Sequence, residues 1–210
     1  MNTPRRNLPR MHALPALWVW RHPKPDGVAG RCVGRTDVPV DPRRSKRLAR
    51  RIQATARREH LPRVVFTSPL QRAADVGRWL RRWGWVHRVD AALLETDFGR
   101  WDGLPWAHIA RAEMDTWCAD FARHAPGGGE PLVALLQRAA AWSPPGVEPG
   151  QATGVVVGHA GWMLARRWAS THASTQWPQA TDWPPPPGTP GYGVCWCFET
   201  FQELNAKNCI

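Results

Sequence analysis

Three short apolar runs punctuate the chain: Leu17-Trp18-Val19-Trp20, Val64-Val65-Phe66 and Val155-Val156-Val157. Each is continuous rather than alternating, the pattern of a strand covered on both faces of a sheet. Each runs directly into polar residues: Arg21-His22 after the first, Ser68-Pro69-Leu70-Gln71-Arg72-Ala73 after the second, Gly158-His159-Ala160-Gly161 after the third. Between the first two lies a Gly- and Pro-rich loop from Pro23 to Pro42, long enough to suggest a functional role. A basic helix follows over 42–59, with Leu48 and Ile52 as apolar anchors. Strand 63–67 leads to a helix that Ser68 caps and Pro69 opens. It runs to about Arg82, with Leu70, Ala73, Ala74, Gly77 and Leu80 on one face and Arg72 in its first turn.

Downstream, Val86 to Leu94 reads as a short strand ending at Glu95, and Phe98 to Gly103 as a loop. Helices are predicted over 105–123 and 130–142, split by Pro126-Gly127-Gly128-Gly129. A Pro/Gly connection (143–151) reaches strand 153–157 and a helix over about 161–171. Residues 178–191 hold four consecutive prolines and read as irregular or polyproline II. The last strand covers about 192–200. Strands alternating with helices predict an α/β fold: a three-layer α/β/α sandwich on a mostly parallel sheet. The chain of 210 residues is expected to form one domain over 16–203, with a disordered lead (1–15) and a C-terminal tail (204–210).

The formal net charge is +11, which invites an anionic partner. The densest run, Arg43-Arg44-Ser45-Lys46-Arg47 with Arg50-Arg51 and Arg57-Arg58, fits the solvated face of a helix better than a nucleic-acid site. Fourteen tryptophans read as packing, because no base-stacking module surrounds them. Five cysteines, odd in number and scattered, suit neither a disulfide framework nor zinc. They point to a reducing, cytoplasmic setting. Arg5, Arg6 and Arg10 precede an apolar stretch as in a signal peptide, but no small-residue cleavage site follows. No segment is apolar enough to span a membrane.

Ligands of open α/β sheets bind outside the carboxyl ends of the strands. Two histidines and two arginines at three such ends should bind a phosphate dianion. Phosphoryl transfer needs a nucleophile, and neutral imidazole serves near pH 7. It needs positive charge around the phosphoryl oxygens, which Arg21, Arg72 and His159 supply. It needs a proton donor for the leaving oxygen, a role for Glu95. The arginines take the place of a metal, so neither metal nor cofactor is expected.

These fragments resemble the histidine phosphatase (phosphoglycerate mutase-like) superfamily. Its Arg-His-Gly motif is matched by Arg21-His22-Pro23, and its Ser-Pro-Leu-x-Arg-Ala motif by residues 68–73. Its Leu-x-Glu-x-x-Phe/Tyr-Gly-x-x-Glu-Gly motif is matched by Leu93 to Gly103, with Asp102 in place of Glu. Its Gly-Gly-Glu-Ser segment resembles Gly128-Gly129-Glu130-Pro131, and its second Gly-His is matched by Gly158-His159. The resemblance implies that His22 forms a phosphohistidine, that Arg21, Arg72 and His159 hold the phosphoryl group, and that Glu95 serves as acid and then base. Within the family, Gly30 to Pro39 is most similar to the α-ribazole phosphatase branch, which implies a role in cobalamin synthesis. Pro23 departs from the pattern and removes a backbone N–H. The family's following Thr and Asn are also missing, a loss for which Arg35 is a candidate substitute. The implied activity is hydrolysis of a small phosphomonoester. A mutase-type phosphotransferase and a non-catalytic phosphate-binding module are the competing readings.

Overall fold

The computed structural model describes residues 16–145 and 154–199. The expected lead and tail lie outside these. Five strands form one sheet: β1 (Ala16–Arg21), β2 (Val64–Thr67), β3 (Val86–Val89), β4 (Gly154–Gly158) and β5 (Cys195–Glu199). Their order is β3-β2-β4-β1-β5. The first four are parallel, and β5 runs antiparallel to β1. The mostly parallel α/β sheet expected from the sequence is the one found.

Helices α1 (Pro42–Arg58) and α2 (Gln71–Arg82) cover one face, and α4 (Leu132–Ala141) and α5 (Ala160–Thr171) the other; α3 (Arg111–Ala119) lies outside. The period of two along each strand divides the core between the faces. Trp20, Val65, Val155 and Val157 pack with Leu48, Ile52, Val76 and Leu80. Leu17, Val19, Phe66 and Val156 pack with Leu135, Leu136, Trp162 and Met163. Full burial of each such side chain contributes about 1.5–3 kcal/mol.

Several elements are shorter than their periodicity suggests, each because a side chain or a distant segment competes for the backbone. β3 stops at Val89 because the Asp90 carboxylate accepts from the Ala92 N–H and starts a 3-10 turn, Ala91–Leu93. Glu95 therefore follows a turn, not a strand end. The helix expected from 105 begins at Arg111. Before it, Leu104 O accepts from Cys32 N and Trp106 N donates to Gly30 O, holding this stretch against the first loop. Ser68 does not cap α2. That helix begins at Gln71, whose N–H is taken by the Asp37 carboxylate from across the loop.

Candidate active site

The register of the central strands builds the site. β1 pairs with β4 so that Arg21 sits opposite Gly158, and the next residues, His22 and His159, lie with ring centroids 5.0 Å apart. β2 lies on the other side of β4, with Thr67 opposite Val157, so Ser68 reaches His159 from the opposite edge. Its Oγ is 2.6 Å from His159 Nε2. Both helices that follow, α2 and α5, start here and aim their N-terminal positive ends at the same place.

His22 is 5% exposed. Its Nδ1 donates to Pro23 O at 2.7 Å, which leaves Nε2 as the free ring nitrogen with a lone pair. Proline thus costs an N–H but keeps the carbonyl that orients the ring. Burial, reinforced by the nearby Arg72 and Arg21 charges, lowers the His22 pKa well below 6.5 and keeps the imidazole neutral. Burial does the same to His159, with His22 and Arg72 adding to it.

Arg21 is held by three contacts from the segment before β5. Its Nη1 donates to Pro190 O at 2.6 Å, its guanidinium lies 3.8 Å from the centroid of the Tyr192 ring, and its backbone pairs with Gly193 and Val194. Arg72, 1% exposed, donates from Nη1 to Thr36 O and from Nη2 to Gly34 O. Two polar atoms here are buried without any partner: Arg21 Nε and His159 Nδ1. An orphaned buried polar atom costs about 1–3 kcal/mol; an incoming oxygen would satisfy Arg21 Nε, and also His159 Nδ1 in the tautomer that carries the proton there.

Glu95 is buried and clasped at both oxygens. Oε1 accepts from Thr96 N and Oε2 from Gly161 N, each at 3.0 Å. A side chain on Gly161 would collide with this carboxylate. Arg138, paired bidentately with Glu130, donates to Ala92 O and Leu94 O and so braces the turn that presents Glu95.

Arg21, His22, Arg72 and Glu95 line one cleft of about 450 Å³. Its outer wall is aromatic: Phe98, Trp106, Trp117, Phe121, Trp183 and Tyr192. Arg35 does not reach the cleft. It pairs with Asp97 and Glu130 at 3.2 and 3.4 Å, so it does not replace the polar groups missing after His22. Sequence reasoning missed Ser68 as the partner of His159, Tyr192 under Arg21, and Asp102 as the acceptor for three successive backbone amides. Ser68 and Asp102 carry motif positions that could have flagged them; Tyr192 carries no such signal. Among the described residues no group of three or more His, Cys, Asp or Glu could hold a metal ion, and no helix is long and apolar enough to cross a membrane.

The family model of the histidine phosphatase superfamily (branch 1) matches residues 17–183. Glucosyl-3-phosphoglycerate phosphatase of Mycobacterium tuberculosis (strain H37Rv) is 38% identical over 102 residues, 42% of this chain and 43% of its own length. The match thus spans less than half of that curated relative. The native structure of mycobacterial glucosyl-3-phosphoglycerate phosphatase is similar with a TM-score of 0.65 and 28% identity, over 86% of this chain and 88% of that one. Its complex with inorganic phosphate gives 0.64 and 29%, over 86% and 87%. A Thermus thermophilus protein gives 0.55 and 28%, over 71% and 81%.

Proposed function

Since the chain belongs to the histidine phosphatase superfamily, we propose that it is a cytoplasmic phosphomonoester hydrolase working through a phosphohistidine on His22. The observation that carries this reading is the free His22 Nε2 beside two unpartnered buried nitrogens, Arg21 Nε, a donor, and His159 Nδ1, a donor when Ser68 donates to Nε2. Phosphoryl oxygens satisfy both donors and the Arg72 guanidinium. Nε2 attacks phosphorus as the bond to the leaving oxygen breaks, and Glu95 gives that oxygen a proton. Glu95, now a carboxylate, takes a proton from water. The hydroxide oxygen bonds to phosphorus, the Nε2–P bond breaks, and inorganic phosphate leaves. Arginine and imidazole supply the positive charge throughout. The cytoplasmic placement is supported by four unpaired cysteines among the described residues, Cys32, Cys118, Cys195 and Cys197.

The organic part of the ester occupies the aromatic cleft. Flat rings stack on such walls, which together with the likeness of residues 30–39 favours α-ribazole 5′-phosphate. The names of the mycobacterial relatives favour glucosyl-3-phosphoglycerate.

The test is hydrolysis of p-nitrophenyl phosphate by the wild type and His22→Ala with EDTA present, followed by release of inorganic phosphate from both candidate esters. Turnover by the wild type alone, unaffected by chelator, is expected. Equal activity in His22→Ala would remove the nucleophile assignment, and phosphate binding with no turnover of any ester would make the chain a binding module. Ribose 5-phosphate, which also departs through a primary 5′ oxygen but lacks the base, isolates the contribution of the ring.

A further inference from the structure

We propose that Asp102 is the positioning residue for Arg72, acting through the backbone of Gly34, Arg35 and Thr36; the proposal rests on the phosphatase reading above. Asp102 lies outside the cleft lining and touches no reacting group. Its carboxylate nevertheless organises one side of the phosphate pocket. Oδ1 accepts from Gly34 N and Thr36 N, each at 3.1 Å, and Oδ2 accepts from Arg35 N at 2.5 Å. Three successive amides converging on one anion form a nest.

The same residues point their carbonyls the other way, at the guanidinium. Gly34 O accepts from Arg72 Nη2 at 2.5 Å and Thr36 O accepts from Arg72 Nη1 at 2.7 Å. A peptide turned by its N–H turns its C=O with it, because the unit is planar. Gly34 C=O shares its plane with the Arg35 N–H, so the orientation that Asp102 imposes on that amide passes directly to Gly34 O and on to Arg72; Thr36 O belongs to the next peptide unit and is held one step further on, through the Thr36 residue whose own N–H Asp102 binds. The linkage has little slack. A side chain on Gly34 would collide with Thr96 O, and its Cβ would lie 2.8 Å from Asp102 Oδ2. On the flank, Gly103 N donates to Cys32 O and Cys32 N to Leu104 O, so the loop and the Asp102 segment cannot slide past each other. Arg72 is almost wholly buried, so on the side away from the cleft these carbonyls are its partners rather than bulk water. The Asp102 charge, with those of Glu95 and Asp37, also offsets part of what burial costs the guanidinium.

A double-mutant cycle tests this. Inorganic phosphate and vanadate inhibition are measured for wild type, Asp102→Asn, Arg72→Ala and the double variant. Asp102→Asn is expected to weaken inhibition about tenfold or more, the value of one charge-assisted hydrogen bond, and to add nothing once Arg72 is gone. Asp102→Glu, which keeps the charge, is expected to retain most of the affinity and serves as the second variant if Asn unfolds the loop. Unchanged inhibition in Asp102→Asn, or losses that multiply in the double variant, would overturn the proposal. In the ligand-free protein, nitrogen NMR of the Arg72 guanidinium gives an answer independent of turnover. Distinct, slowly rotating Nη signals in the wild type should average in Asp102→Asn, and signals alike in both would overturn it. Absence of turnover in the wild type would by contrast count only against the phosphatase reading.

Discussion

Ser68 Oγ lies 2.6 Å from His159 Nε2, while His159 Nδ1 is buried and meets nothing. In the neutral ring one nitrogen donates and the other accepts. If the serine hydroxyl donates to Nε2, the proton sits on Nδ1 and faces the phosphate site as a donor. Ser68→Ala is expected to release this tautomer and lower kcat/KM by about tenfold, with weaker phosphate inhibition. It should cost about 1–3 kcal/mol of stability through the unsatisfied nitrogen. Imidazole nitrogen shifts that report the same tautomer in both proteins would show that Ser68 does not set it.

Stability should depend on pH in a defined direction. Burial lowers the pKa of both His22 and His159 well below 6.5. Between the folded-state values and about 6.5 the unfolded chain therefore holds more protons than the folded one, and stability rises with pH. The contribution is whole above about pH 6.5 and is lost as pH falls toward the folded-state values. Urea midpoints taken from about pH 7.5 down to about 5 should fall, and fall less steeply in His22→Ala. A flat profile in the wild type would contradict the neutral, desolvated pair.

Gly161 and Glu95 form a second testable couple. Gly161→Ala places a methyl group against the Glu95 carboxylate and removes no polar group. It should reproduce, in milder form, the defect of Glu95→Gln. Both variants should lose far more activity on alkyl phosphates than on p-nitrophenyl phosphate, whose leaving group needs no proton. Equal losses on the two esters would exclude Glu95 as the acid.

The Tyr192 ring supports Arg21 by its face rather than its hydroxyl, with the guanidinium 3.8 Å from the ring centroid. Tyr192→Phe should therefore be nearly silent, whereas Tyr192→Ala should lower phosphate affinity by about 1–2 kcal/mol, the range for a partly desolvated cation–π contact. A large effect of Tyr192→Phe would point to the hydroxyl instead.

The sheet and the two histidines were legible in the sequence for one physical reason. Parallel strands buried on both faces must be continuous apolar runs, and their carboxyl ends are where chemistry collects. Val155-Val156-Val157 followed by Gly158-His159 states both facts in five residues. What the chain did not show is the long-range competition for backbone groups. Ser68 looks like a helix cap until its hydroxyl is seen on His159, and Asp37 then caps α2 from a loop with no local reason to be near. The helix expected over 105–123 loses its first turn to hydrogen bonds with Gly30 and Cys32 that no local propensity encodes. Pro23 is a related case. The residue type announces a lost N–H, but only the structure shows that the group His22 uses is the carbonyl.

β1 has no neighbour in the sheet that is near it in sequence. Val19 pairs with Val156 on one side and with Trp196 on the other. As the chain leaves the ribosome, the strand that leads into His22 is made well before either of its partners. Loop closure for these contacts is the costliest in the sheet, so His22 is synthesised early and seated late. A nascent chain halted before residue 190 would carry His22, Arg72 and His159 without the segment that clamps Arg21. The pocket around Arg21 is therefore completed only when the antiparallel return of the chain docks on β1.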